Sequence, residues 1–61
     1  MLNSYVEVLS RALYRKDTTP IYVSNHDWDK AKDAVQFMNC RTYSAQFEIK
    51  GNYVYMKLGE A

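Results

Sequence analysis

The side chains best suited to covalent chemistry are one histidine, His26, and one cysteine, Cys40. A thiolate–imidazole pair needs the two within hydrogen-bond reach. The sequence predicts them at opposite ends of one helix, where about a dozen residues at ~1.5 Å each hold them far apart. Cys40 therefore reads as a small, partly buried apolar residue at a helix end. His26-Asp27-Trp28-Asp29 has the composition of a metal or acid/base cluster. A zinc site takes three or four ligands at suitable spacing. Here His26 stands alone, and Asp27 and Asp29 point different ways on a helix. Their expected role is to place negative charge in a first helical turn. Gly51 and Gly59 are the only two glycines, too few for a phosphate-cradling loop between strand and helix. No serine occupies a nucleophile-elbow context. The expectation is a chain that is not an enzyme and carries no metal or cofactor.

Two groups of residues are suited to binding. Arg11, Arg15 and Lys16, with Tyr14 among them, form the only basic cluster. Cations at a helix end complement its dipole, which accounts for the cluster without a ligand. As a site, it would contact phosphates or an acidic surface, with Tyr14 stacking on a base or a partner side chain. The second group is Tyr22, Tyr53, Tyr55 and Lys57. Tyrosine suits strands in any case. A row of tyrosines on one sheet face also offers large contact area with little rotamer entropy to lose.

The elements that position these residues follow from periodicity and punctuation. Tyr5 to Lys16 reads as a helix opened by a Ser4/Glu7 capping box. Leu2, Tyr5, Leu9 and Ala12/Leu13 form its buried stripe, widened by Val6. Glu7 and Arg11 make an i,i+4 pair. Asp17-Thr18-Thr19-Pro20 breaks the helix, and Ile21 to Ser24 reads as a short strand with Tyr22 turned away from Ile21 and Val23. Pro20 places that strand at an edge or a sheet end. A second helix runs from Asp27 to Met38, capped by Ser24 or Asn25. Its apolar stripe is Trp28, Ala31, Ala34/Val35 and Met38, with Phe37 at the margin. Asn39 suits the left-handed position that ends such a helix.

Tyr43 to Leu58 reads as a hairpin around Gly51-Asn52, with glycine first as a type II′ turn requires. That turn sets Ile49 against Val54, Phe47 against Met56 and Ala45 against Leu58 on one face. Glu48 beside Tyr55, Gln46 beside Lys57 and Lys50 beside Tyr53 lie on the other. The predicted fold is α+β, in the order α-β-α-β-β. Two helices cover one face of a three-stranded sheet. The last strand lies centrally, between the first strand and Tyr43–Lys50.

Composition bounds the function. Sixty-one residues make one small domain, spanning 1–61, with a thin core and no deep cavity. The net charge of +1 provides no strong sequence-independent pull toward nucleic acid. A lone cysteine forms no intrachain disulfide. No signal peptide is evident after Met1, and no run approaches the ~18 apolar residues of a membrane span. A cytoplasmic protein without membrane contact is expected. Six tyrosines are the compositional anomaly.

These readings converge on a protein-binding module acting as a small inhibitor, adaptor or regulator. It would use the face bearing Tyr22, Tyr53, Tyr55 and Lys57, or an exposed strand edge. A homodimer through the same face is a variant. The alternative is a nucleic-acid-binding module that uses that face or the Arg11, Tyr14, Arg15, Lys16 patch. In general character the chain resembles the very small proteins that bacteriophages encode to redirect host machinery. The resemblance rests on size, a start at Met1 and the lack of catalytic apparatus.

Overall fold

The sequence's alternation of two helical stripes with three short β patterns is realised in a computed structural model, which describes residues 3–59. Helix α1 spans Ser4–Arg15, strand β1 Ile21–Tyr22, a 3-10 turn Asn25–Asp27, helix α2 Trp28–Arg41, strand β2 Ala45–Lys50 and strand β3 Tyr53–Leu58. The strand order is β1-β3-β2, with both neighbours antiparallel to β3. This is the expected α+β arrangement with the last strand central.

The hairpin register is the one that alternation demands, from Ala45↔Leu58 through Phe47↔Met56 to Lys50↔Tyr53. Gly51 has φ +56°, and Lys16 is the only other described residue with positive φ. Positive φ at the first loop position alone identifies the type II′ turn. Trp28 Nε1 donates to the Gly51 carbonyl at 2.8 Å, tying the start of α2 to the turn.

One core joins all layers. Leu9 of α1, Val23, the α2 residues Ala31, Ala34, Val35 and Met38, and the hairpin residues Ala45, Phe47, Val54 and Met56 are buried together. Tyr5, Val6, Leu13, Ile21 and Ile49 pack around them. Leu2, the first residue of the expected α1 stripe, lies outside the described residues.

Several boundaries differ from the sequence expectation, each for a physical reason. The N-cap of α1 is Asn3, so the Ser4/Glu7 capping box is not formed. Asn3 Oδ1 accepts from the Tyr5 N–H at 2.9 Å. Its amide also donates to the Lys30 carbonyl of α2 at 2.7 Å, which ties the cap to the second helix. Helix α1 stops at Arg15 because Lys16 turns left-handed at φ 55°. The Lys16 and Asp17 N–H groups then close on Leu13 and Ala12 as a Schellman motif.

Strand β1 is shorter than Ile21–Ser24. Val23 still donates to the Asn52 carbonyl at 2.7 Å. The Asn52 side-chain amide returns the second bond at 2.9 Å, replacing a ladder contact. Helix α2 continues past Met38 to Arg41, so Asn39 is helical and ends nothing. Cys40 is exposed, because the buried positions 31, 34, 35 and 38 put it on the solvent side of α2. Tyr43 and Ser44 precede β2, which begins at Ala45. Leu58, expected to be covered, is 37% exposed at the last position of β3.

Candidate functional site

The hairpin and β1 assemble the tyrosines. Tyr22 and Tyr53 are cross-strand partners. The Val23–Asn52 bond makes the neighbouring pair the hydrogen-bonded one. Tyr22 and Tyr53 thus occupy the non-hydrogen-bonded position, where opposed side chains come closest. Their rings meet edge to face, with centroids 5.7 Å apart and planes at 73°. Tyr55 follows two residues along β3 on the same face. Its ring centroid lies 6.4 Å from that of Tyr53. Lys57 continues the row. Lys50, Glu48 and Gln46 flank it from β2 in the expected register.

Tyr22, Tyr53 and Tyr55 are 62%, 43% and 40% exposed. The helices cover the other sheet face, so nothing within the described chain covers these tyrosines. A shallow depression over the hairpin, lined in part by Gln46, Glu48, Tyr55 and Lys57, opens on the same face. This surface can bury aromatic area and place cations and one carboxylate around it.

The two edges of the sheet are each interrupted, in different ways. In β2, residues 46, 48 and 50 bond to β3, so the Phe47 N–H and C=O point outward. Both are taken by one side chain from α2. The Phe47 N–H donates to Asn39 Oδ1 at 2.8 Å, and Asn39 Nδ2 donates to the Phe47 carbonyl at 2.9 Å. Asn39 thus fills the place of a residue on an adjoining strand. At the other edge, β1 has two residues and is preceded by Pro20, which has no N–H to offer. The sequence reading missed Asn39. No local pattern marks a side chain that acts across eight residues on another element.

The basic residues divide between two surfaces. Arg11 and Arg15 share one face of α1 with Val8 and Ala12, at i, i+3, i+4 and i+7 spacing. That face borders a cleft of about 240 Å³ whose other wall runs from Asp17 to Ile21. Tyr14, 90% exposed, lies off this face, and Lys16 lies beyond the helix end. The cleft's helical wall was readable in the 8, 11, 12, 15 spacing. Its strand wall was not.

Arg11 stands 4.0 Å from Glu7 across a solvent-exposed i,i+4 pair, as expected from the spacing. Asp17 accepts from the Thr19 N–H at 3.0 Å. Hydrogen bonding from Thr19, side chain first and backbone second, holds the Asp17 carboxyl below its ordinary pKa, and the Arg15 charge adds to this.

The candidate chemical residues stay apart. His26 lies in the 3-10 turn before α2, and Cys40 in the last turn of α2. Among the described residues no group of three or more His, Cys, Asp or Glu side chains is placed to hold a metal ion. Asp27 makes no side-chain cap bond to α2. Its carboxylate accepts from the Tyr5 hydroxyl at 3.1 Å instead. Ser24 Oγ accepts from the Asp27 N–H at 3.3 Å and so caps the 3-10 turn, while α2 itself begins after Asp27 and, contrary to expectation, is capped by neither Ser24 nor Asn25. Asn25 Oδ1 accepts from Asn52. No helix among the described residues is long and apolar enough to cross a membrane. No protein-family model matches the chain, and neither a curated protein nor a solved structure is significantly similar to it.

Proposed function

We propose that this chain is a non-catalytic protein-binding module, a small inhibitor, adaptor or regulator that docks through its open sheet face. The observation that carries this reading is the continuous strip Tyr22–Tyr53–Tyr55, extended by Lys57 and left uncovered by both helices. Aromatic rings held by neighbouring strands lose little freedom on binding, which is why tyrosine recurs at interface hot spots. A β2 edge occupied at Phe47 and a β1 edge of only two residues behind Pro20 favour the face over strand addition as the mode of contact. One side of a standard interface, about 800 Å², is roughly one sixth of the chain's 4758 Å² of accessible surface. Glu48, next to Tyr55, weighs toward a protein rather than a phosphate backbone. A second copy bound on the same face is the homodimeric form of this reading. A cytoplasmic setting suits a chain whose lone cysteine is free.

The test is capture of partners from the native host lysate on tagged protein, with nuclease and at low and high salt, alongside sedimentation of the protein alone. Wild type is expected to retain a stoichiometric protein partner, or to self-associate, after nuclease and high salt. Tyr53→Ala/Tyr55→Ala is expected to weaken that association at least about tenfold. Association untouched by the double substitution would refute the assignment of the face. Recovery of nucleic acid that is lost on raising salt would replace the reading with the nucleic-acid one.

A further inference from the structure

We propose that the cleft between α1 and the start of β1 is a second binding site, which takes an extended acidic segment of a protein partner, Glu-Xaa-Glu in pattern with an apolar Xaa. The proposal is independent of the tyrosine face.

Three features of the cleft specify such an occupant. The first is charge. Arg11 and Arg15 border it one helical turn apart. The only ion pair among the described residues is the long, exposed Arg11–Glu7 contact. Two guanidiniums therefore stand over the cleft without a close carboxylate bond.

The second is spacing. Residues four apart on a helix are separated by about 6 Å along its axis. Alternate residues of an extended chain lie about 6.6 Å apart on one side. Carboxylates two residues apart on an extended segment thus match Arg11 and Arg15, and a guanidinium fork grips a carboxylate through two parallel N–H bonds. The third is the apolar lining. Val8 is 39% exposed at the cleft, and Pro20 and Ile21 form the opposite wall. The residue between the two carboxylates points toward that wall, and an apolar side chain suits it.

A nucleic acid fits the same cleft poorly. Its aromatic neighbour Tyr14 lies off the face, so no ring lines the cleft to stack on a base, whereas Pro20 and Ile21 offer an apolar wall. Asp17 repels carboxylates and phosphates alike and so sets the direction of the segment, since a third acidic residue is tolerated only at the end away from it.

The experiment is an amide chemical-shift titration of the full chain with acetyl-Gly-Glu-Leu-Glu-Gly-amide. The same peptide with lysine for both glutamates, and an octathymidylate, serve as comparisons. The acidic peptide is expected to shift the amides of Val8, Arg11, Arg15 and Ile21. Its affinity should fall about tenfold in Arg11→Gln/Arg15→Gln, each exposed pair contributing a factor of roughly two to five. Circular dichroism checks that the double variant is folded. Tyr53→Ala/Tyr55→Ala should bind the peptide as wild type does, which separates failure here from failure of the tyrosine face. No shift with the acidic peptide, equal shifts with the lysine peptide, or tighter binding of octathymidylate at these residues would each overturn the proposal.

Discussion

Tyr5 shows how one side chain can couple two elements and make stability respond to pH. Its ring packs at the edge of the core, and its hydroxyl donates to Asp27 Oδ2 at the entrance to α2. Burial first, and the bond to Asp27 second, raise the phenol above its ordinary pKa of 10.0. A group whose folded pKa lies above its unfolded one binds its proton more tightly when folded. Its contribution is therefore complete below pH 10 and is lost as pH rises through the folded value. Tyr5→Phe removes the hydroxyl and costs about 1 kcal/mol at neutral pH. Urea denaturation of both proteins from pH 8 to pH 11 is the measurement. The difference between their midpoints should shrink above about pH 10. A constant difference across that range would show that folding does not raise the Tyr5 pKa. The sequence placed Tyr5 on the buried stripe of α1 but not opposite Asp27, since the two are 22 residues apart and meet only once the helices pack.

At the scale of elements, the second helix does more than cover the sheet. Through Asn39 it also occupies the middle of the outer edge of β2, at Phe47. Asn39→Ala removes two hydrogen bonds and leaves the Phe47 N–H and C=O partly buried without partners, at a cost of about 2 kcal/mol. Asn39→Asp keeps an acceptor for the N–H but sets a carboxylate against the carbonyl, so it should be no less harmful at neutral pH. Urea denaturation gives the cost, and sedimentation velocity reports whether the opened edge draws chains together. Wild-type stability and a monomeric Asn39→Ala protein would together remove the edge-closing role. This device also marks where sequence reasoning stops. The hairpin's register, its turn and the central place of β3 were legible because alternation, turn chemistry and connectivity agree there. The end of α2 was not. An asparagine after an apolar stripe suits a left-handed stop, and only the tertiary position of Phe47 makes the helical conformation worth more. The same holds for Asn3, whose bond to Lys30 decides a cap that Ser4 and Glu7 could have formed locally. The tyrosine row of the candidate site followed directly from the register. The cleft at α1 did not, because half of it is built by a loop.

For the molecule as a whole, the decisive fact is that both helices, β1's continuation and the hairpin share a single buried cluster. A chain of this length has one such cluster to rely on, worth about 3–5 kcal/mol net of entropy, so its parts should not unfold separately. Leu9 tests this. It is the one fully buried side chain of α1 and sits among residues of α2 and the sheet. Leu9→Ala in such a site costs about 3 kcal/mol, most of what the chain has. Two probes report on different regions. Circular dichroism at 222 nm follows the helices, and Trp28 fluorescence follows the junction of α2 with the hairpin turn. In wild type the two thermal transitions should coincide. In Leu9→Ala both should be lost or lowered together, although Leu9 lies on the helix remote in sequence from the hairpin. Tyr53→Ala/Tyr55→Ala, which changes only the open face, should leave both transitions within a few degrees of wild type. Were the Trp28 transition to survive Leu9→Ala while the helical signal fell, α2 and the hairpin would form a unit of their own. Helix α1, with its arginine cleft, would then be an appendage able to detach from the tyrosine face. Coincident loss would mean that the two candidate surfaces are held in fixed relation by the same few side chains.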